Sequence, residues 1–328
     1  MQIRTDIVVK LLQLPRVGKK TVFKILDGLD FPISSDRDLF DILEEKGSLL
    51  KLPNFSQSEF QKALDEAEEI LEKSERENIT VISWYHKDYP EALKRMGQDK
   101  APIVLNIKGN LQVLHEKKGV AVIGTREPTE YGQRVGERLG ELFGGAGLNV
   151  VSGLALGCDT AGHRGCLKAN GTTTAVMGEG LQKIYPKENK ALATEILERG
   201  GVLVSEYFIG ATARPSNFVD RDRIQAGLSE CVTVVETDIK GGTMHTVNFA
   251  MDFKRLLAAF NHTPEKQSDK SRGNQQIIRE GKATGLANES DIRLLIEQIK
   301  LNGKAQTMPQ PQIIINQPIT KQATLFDI

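Results

Sequence analysis

The sequence predicts an α/β protein built on an extended Rossmann-like, doubly wound parallel sheet, with a small helical N-terminal domain and a flexible C-terminal tail. Three observations carry this prediction. From Gly119 onward, short apolar runs alternate with segments of helical periodicity. Residues 1 to about 75 carry helical apolar spacing and helix-favouring residues. Beyond about residue 290 the composition turns to Gln and Pro. The expected divisions are 1–78, 79–292 and 293–328.

In the first division two segments resemble each other. LPRVGKKTVFKIL begins at Leu14 and LPNFSQSEFQKAL at Leu52, with Leu, Pro, an apolar residue, Lys and Leu in register. The first looks like a helix-hairpin-helix (SAM-like) element, whose Pro-x-apolar-Gly turn offers backbone N–H groups to a phosphate. The second has Ser56 where the hairpin glycine belongs, so a plain helical scaffold reads as well as a DNA grip. The acidic run 65–77 reads as a solvated helix face. A connecting stretch, 79–118, holds strand-like pieces around Val81 and Val104 and turn-forming Pro90 and Pro102.

The six main strand candidates are residues 120–123, 149–151, 173–177, 202–205, 232–236 and 256–260. Between the first two, Val135, Leu139, Leu142 and Phe143 share one helix face. Right-handed crossovers put helices on both faces of such a sheet, and ligands meet it at the carboxyl ends of its strands. After residue 290, IRLLIEQIKL reads as a short amphipathic helix, and the remaining tail as largely disordered.

Composition excludes little. The chain of 328 residues carries 43 basic and 43 acidic side chains, a formal net charge of zero. Binding to nucleic acid through overall positive charge is therefore disfavoured, while a local basic groove remains open. No apolar run is long enough to span a bilayer, and the N-terminus lacks the pattern of a secretory signal. Three separated cysteines, Cys158, Cys166 and Cys231, point to reduced thiols and a cytoplasmic setting.

Five unusual turns follow strand candidates: GTREPTEYG, SGLALGCDTAGH, GEGLQKIYPKEN, FIGATARPSNFVDRDRI and KGGTMHT. They should converge on one sheet edge, bringing Arg126, Arg221 and Arg223 together there. The planar guanidinium fork suits phosphate. The glycines of KGGTMHT open a helix whose N-terminal amides receive an anion. The first turn has one glycine where a dinucleotide fingerprint has three, and Ser152 ends the second strand where a ribose-binding acid belongs, which argues against NAD. Asp159 reads as a helix cap and His163 as a structural group. Cys158 and Cys166 lack zinc-ligand spacing. No metal and no cofactor is expected.

The runs GTREPTEYG, VVSGLALGCDTAGHRGCL, AVMGEGLQKIYPKEN, LVSEY, FVDRDRIQAGLS and VVET…GGTMHT resemble the DprA/Smf family of bacterial DNA-processing proteins. The resemblance covers roughly residues 80–292. It implies a non-enzymatic protein that binds single-stranded DNA, self-associates as a homodimer, and helps load the RecA recombinase in natural transformation. By motif position it implies a DNA pocket of Gly124, Thr125, Arg126, Tyr131, Gly132, Ser152, Gly153, Arg221 and Arg223. Lys240, Gly241, Gly242 and Thr243 form its other wall, and Tyr131 and Phe218 offer faces for base stacking.

Departures from the family pattern are Asp222 where the family has Asn, Gly241-Gly242-Thr243 for Ser-Gly-Ser, and Asn261-His262 for Pro-Gly. They leave one alternative reading, an antitoxin paired with a toxin in a phage-defence locus; likeness to related Rossmann-like enzymes offers a second, a nucleoside-monophosphate N-glycosidase. The second is disfavoured, because Gly241-Gly242-Thr243 lacks a residue and a glycine of that enzyme loop. The C-terminal Gln322, Leu325 and Phe326 resemble the short peptide that docks on the replication sliding clamp.

Overall fold

The computed structural model describes residues 3–29, 32–50, 52 and 54–301. The expected clamp-docking residues Gln322, Leu325 and Phe326 lie outside them. Four helices come first: α1 (Thr5–Gln13), α2 (Lys19–Leu26), α3 (Asp36–Leu50) and α4 (Gln57–Arg76). Gly18 begins α2 with extended backbone. Ser56, at the equivalent place before α4, is a helix cap: its hydroxyl accepts from Glu59 N, and the Glu59 carboxylate accepts from Ser56 N at 2.8 Å. Serine thus replaces the hairpin glycine because it satisfies amides of its own helix.

The apolar faces of these helices, with Val8, Leu11, Val22 and Ile25 at their centre, enclose Ile103 and Val104 in the same cluster. Trp84 meets Phe23 edge-on at 5.7 Å, and the Tyr85 hydroxyl donates to Asp27 at 2.6 Å. The helical unit is therefore seated on the connecting stretch. That stretch forms β1 (Thr80–Ser83), α5 (Glu91–Lys94), β2 (Val104–Gly109) and α6 (Val113–Glu116).

The main fold then runs β3 (Gly119–Ile123), α7 (Glu130–Gly145), β4 (Asn149–Ser152), α8 (Cys158–Lys168) and β5 (Thr173–Met177). It continues with α9 (Lys190–Glu198), β6 (Val202–Ser205), α10 (Pro215–Gly227), β7 (Cys231–Val234), α11 (Thr243–Asp252) and β8 (Leu256–Phe260). It closes with α12 (Arg272–Arg279), β9 (Thr284–Leu286) and α13 (Glu289–Leu301).

One sheet of nine strands results, in the order β1-β2-β6-β5-β4-β3-β7-β8-β9. The pairs β1–β2 and β2–β6 are antiparallel and all others parallel. All six main strand candidates are strands of this sheet. Strands β3 to β7 are buried throughout, which is why they read as continuous apolar runs. Among the described residues, no helix is long and apolar enough to cross a membrane.

The helix expected near residue 292 is α13. Its Ile292, Leu295, Ile296 and Ile299 enter the same core cluster as Phe143 and Leu286. A division at 292–293 therefore falls inside a helix that packs on the sheet domain. The chain leaves β3 for β4 on one side, while β7 pairs on the other. Here the winding reverses, and a crevice opens beyond the carboxyl ends of β3 and β7.

Candidate nucleic-acid interface

A cleft of about 630 Å³ fills this crevice. Gly124, Thr125 and Arg126 after β3, Phe218 and Arg221 from α10, and Gly241, Gly242 and Thr243 at the start of α11 all line it. Eight of the predicted residues thus meet at one site. Gly153 lines a smaller cavity beside it, shared with Arg126, Tyr185 and Phe218.

The first wall is drawn tight by hydrogen bonds. Thr125 N donates to Glu236 O at 2.8 Å, and Thr125 O accepts from Cys158 N at 3.1 Å. A Cβ on Gly124 would lie 2.8 Å from Glu236 O and collide with the Cys158 side chain. The turn ends at Thr129, whose hydroxyl accepts from Gly132 N at 2.9 Å and so caps α7.

Glu236 organises this turn. Its carboxylate, wholly buried, accepts from Thr129 N at 2.8 Å and Thr129 Oγ1 at 2.7 Å, and lies 3.3 Å from His262 Nε2. Burial opposes its charge, but the contacts from His262 and Thr129 prevail and hold it below the usual carboxylate range. Gly132 exists to leave room, since a Cβ there would enter the Glu236 carboxylate. Sequence reasoning missed Glu236; an acid closing an apolar strand run was its available signal.

Arg126 is exposed on the turn, with its guanidinium carbon 5.4 Å from the centre of the Phe218 ring. Phe218 in turn leans on Tyr185, at 5.5 Å between centroids and 36° between planes. Tyr185 is 48% exposed, beside Leu156 and Pro186. A cation over an aromatic face next to an open aromatic ring offers both a charge for phosphate and a platform for a base. On the opposite wall the first turn of α11 opens on the cleft, carrying the partial positive charge of a helix start. A Cβ on Gly241 would press within 2.6 Å of Thr237 Oγ1.

The floor is Arg221. It is 4% exposed, donates from Nη1 to Val176 O at 3.1 Å, and fills the space a Cβ on Gly153 would need. Two carboxylates share it: Asp222 Oδ1 lies 3.3 Å from Nε and Asp159 Oδ2 3.9 Å from Nη2. Asp159 does not cap α8 as expected. It accepts from Gly153 N at 3.0 Å and Ala155 N at 3.3 Å, tying down the loop between β4 and α8. Burial, and secondarily the nearby Arg221 charge, push the His163 imidazole down to about 3. It sits neutral beneath the cleft, 2.6 Å from Thr173 Oγ1, as a structural group.

Five predicted site residues stand elsewhere. Ser152 is buried and donates to Val122 O at 2.7 Å, so its hydroxyl is spent inside the sheet. Tyr131 lies on α7 against Phe260 and His262, with ring centroids at 6.0 and 5.9 Å, on the core side rather than in the cleft. Gly132 serves Glu236. Lys240 is exposed on the turn before Gly241 and does not line the cleft. Arg223 makes a two-pronged pair with Glu206, both contacts at 2.6 Å, and lines a second cleft with Lys19, Leu12 and Phe208.

The physical reason for the last correction is the helix period. Positions two apart on α10 lie roughly 200° apart around its axis, so Arg221 and Arg223 point in opposite directions. The expected cluster of three guanidiniums is thus one open group, one buried group and one group in another cleft. Lys270, which the sequence reading missed, joins the rim; its ammonium bonds to Glu127 O. All three cysteines are buried, and burial raises each thiol, Cys166 and Cys231 to about 12.

Residues 80–297 match the family DNA recombination-mediator protein A. The chain belongs to this family. Members that it resembles include Protein Smf of Synechocystis, 33% identical over 73% of this chain and 59% of that protein. DNA processing protein DprA of Bacillus subtilis is 35% identical over 58% of this chain and 63% of that protein. The matches therefore span about three-fifths of these relatives' length.

Among solved structures, DNA processing protein A from Streptococcus pneumoniae is similar to 90% of this chain and 98% of its own, with TM-score 0.70 and 28% identity. The same protein from Helicobacter pylori, described for its single-stranded DNA binding mode, has TM-score 0.60 and 25% identity over 68% of this chain and 96% of its own. The family resemblance read from the motifs of residues 80–292 is thereby established.

Proposed function

We propose that this chain binds single-stranded DNA in the crevice beyond β3 and β7 and acts as a non-enzymatic mediator of recombination. The observation that carries the reading is Arg126 poised over Phe218 at the mouth of an open cleft, beside the exposed Tyr185 ring. A phosphodiester would sit between Arg126 and the first turn of α11, with its base on the Phe218–Tyr185 surface. Recognition of this kind ignores base sequence. The single-stranded DNA binding described for the Helicobacter pylori relative supports the same use of the fold.

A catalytic use is disfavoured. Glu236, the glutamate nearest the Gly241-Gly242-Thr243 turn in sequence, is sealed against Thr129 and His262, and His163 is held neutral in the core. Anisotropy titration with a fluorescent oligothymidylate tests the binding. Arg126→Ala should weaken it about tenfold, as expected for loss of a charged contact that also carries an aromatic neighbour. Unchanged affinity in that variant would refute the site. Loading of a RecA-type recombinase and assembly of a homodimer are further parts of the proposal. The first is read from recombinase filament growth on strands precoated with single-strand-binding protein, the second from light scattering.

A further inference from the structure

Asp222 lines the crevice directly, and its carboxylate is 15% exposed, whereas that of Asp159 is 8% exposed and tied by two backbone amides. Between the two acids lies a single guanidinium, Arg221. One buried cation cannot neutralise two carboxylates, so the pair favours holding a proton. Both acids line the crevice, and Asp222, the more exposed and the less tied by backbone amides, is the one more open to water and ligand.

Its surroundings agree. The groups that face it are Arg221 on its own helix, Asp159 from α8, Arg126 from the turn after β3, and Thr246 from α11. Farther around the cleft stand Glu127, Asp238, His245 and Lys270. Burial foremost, and the Asp159 charge, raise the Asp222 carboxyl to about 7, against the pull of Arg221, Thr246 and Arg126.

We propose that Asp222 is the affinity-setting residue of the crevice, gripping a phosphodiester when protonated and releasing it when ionised. A neutral carboxyl donates its O–H to a phosphate oxygen, as an amide N–H at this position would. The ionised form repels the strand and holds the Arg221 charge to itself. Binding of a phosphodiester then takes up a proton, because the bound anion favours the neutral acid. The inference rests on the proposed single-stranded DNA binding.

The test is oligothymidylate affinity of the full chain at constant salt, at about pH 6 and about pH 8. Linkage to one group titrating near 7 gives an affinity fall of about tenfold across this window. Asp222→Asn should bind with nearly equal affinity at both values. His245→Gln should keep the fall, separating the imidazole at the rim from the acid. Calorimetry in buffers of different ionisation enthalpy reads the proton directly and needs no variant: wild type takes up a fraction of a proton near pH 7.5, about what one site predicts. Binding that is flat with pH, a fall that survives in Asp222→Asn, or no proton uptake overturns the inference and leaves DNA binding intact. Absence of binding by every variant at both values overturns the DNA reading and this inference with it.

Discussion

Arg221 and Arg223 are separated by one residue, yet they belong to different clefts. Arg221 floors the crevice beneath the sheet edge, buried beside Gly153 and shared by Asp159 and Asp222. Arg223 lies on the far side of α10, clasped by Glu206 and facing Leu12, Gln13 and Lys19 of the helical unit. A stretch written Arg-Asp-Arg reads as one basic patch, but helical geometry divides it. Neither of its arginines is the open one. That role falls to Arg126, which is exposed on a turn with its guanidinium over the Phe218 ring.

The comparison breaks first at Arg221. Replacing it by Ala strands two buried acids without their cation, which should cost about 3–5 kcal/mol in urea unfolding. Arg223→Ala should cost less, about 2 kcal/mol, since Glu206 retains partial access to water. It should also leave oligothymidylate affinity within about twofold. A large affinity loss there would join the two clefts functionally and erase the distinction.

Arg126→Ala should show the reverse pattern, with binding reduced but stability changed by no more than about 0.5 kcal/mol. With Arg126 and Lys270 as the accessible cations, salt dependence should also be shallow. The slope of log affinity against log salt should fall between about −1 and −2, at roughly 0.7 per neutralised phosphate.

A further effect concerns pH and stability. Asp222 is raised in the folded chain, so it favours folding at low pH and withdraws that contribution as pH climbs from the ordinary carboxylate range towards about 7. Asp222→Asn should therefore gain stability relative to wild type on going from about pH 5 to about pH 8, by roughly 2–3 kcal/mol. Thermal unfolding at both values measures it, and a difference that shrinks with rising pH reverses the sign.

The sheet centre was legible because strands buried on both faces are mostly apolar, their few polar side chains being hydrogen-bonded inside the sheet, so VAVI, TTAVM and LLAAF stand out. The edge strand β9, Thr284–Leu286, escaped because three residues with a central glycine, of which Leu286 alone is buried, carry no pattern. Helix α13 was visible as a helix, but its docking on Phe143 and Leu286 was not, since amphipathicity gives a face without naming its partner.

At the site, Gly124 to Arg126 stood out because an apolar strand stops at a glycine and a cation follows. Tyr131 misled, because the cap at Thr129 starts α7 in a phase that turns that ring towards Phe260. Ser152 misled as well, since a serine at a strand end looks ready for a ligand until its hydroxyl is found bonded to Val122. Lys270 was invisible because it arrives from a distant segment, brought to the rim only by the fold.

The Glu236 carboxylate pins Thr129 while its own carbonyl holds Thr125, so the ends of two neighbouring strands are stitched together by one residue. A strand of nucleic acid bound as proposed would meet a wall set before its arrival. What accommodation is needed must come from the polymer, whose backbone is the softer of the two partners.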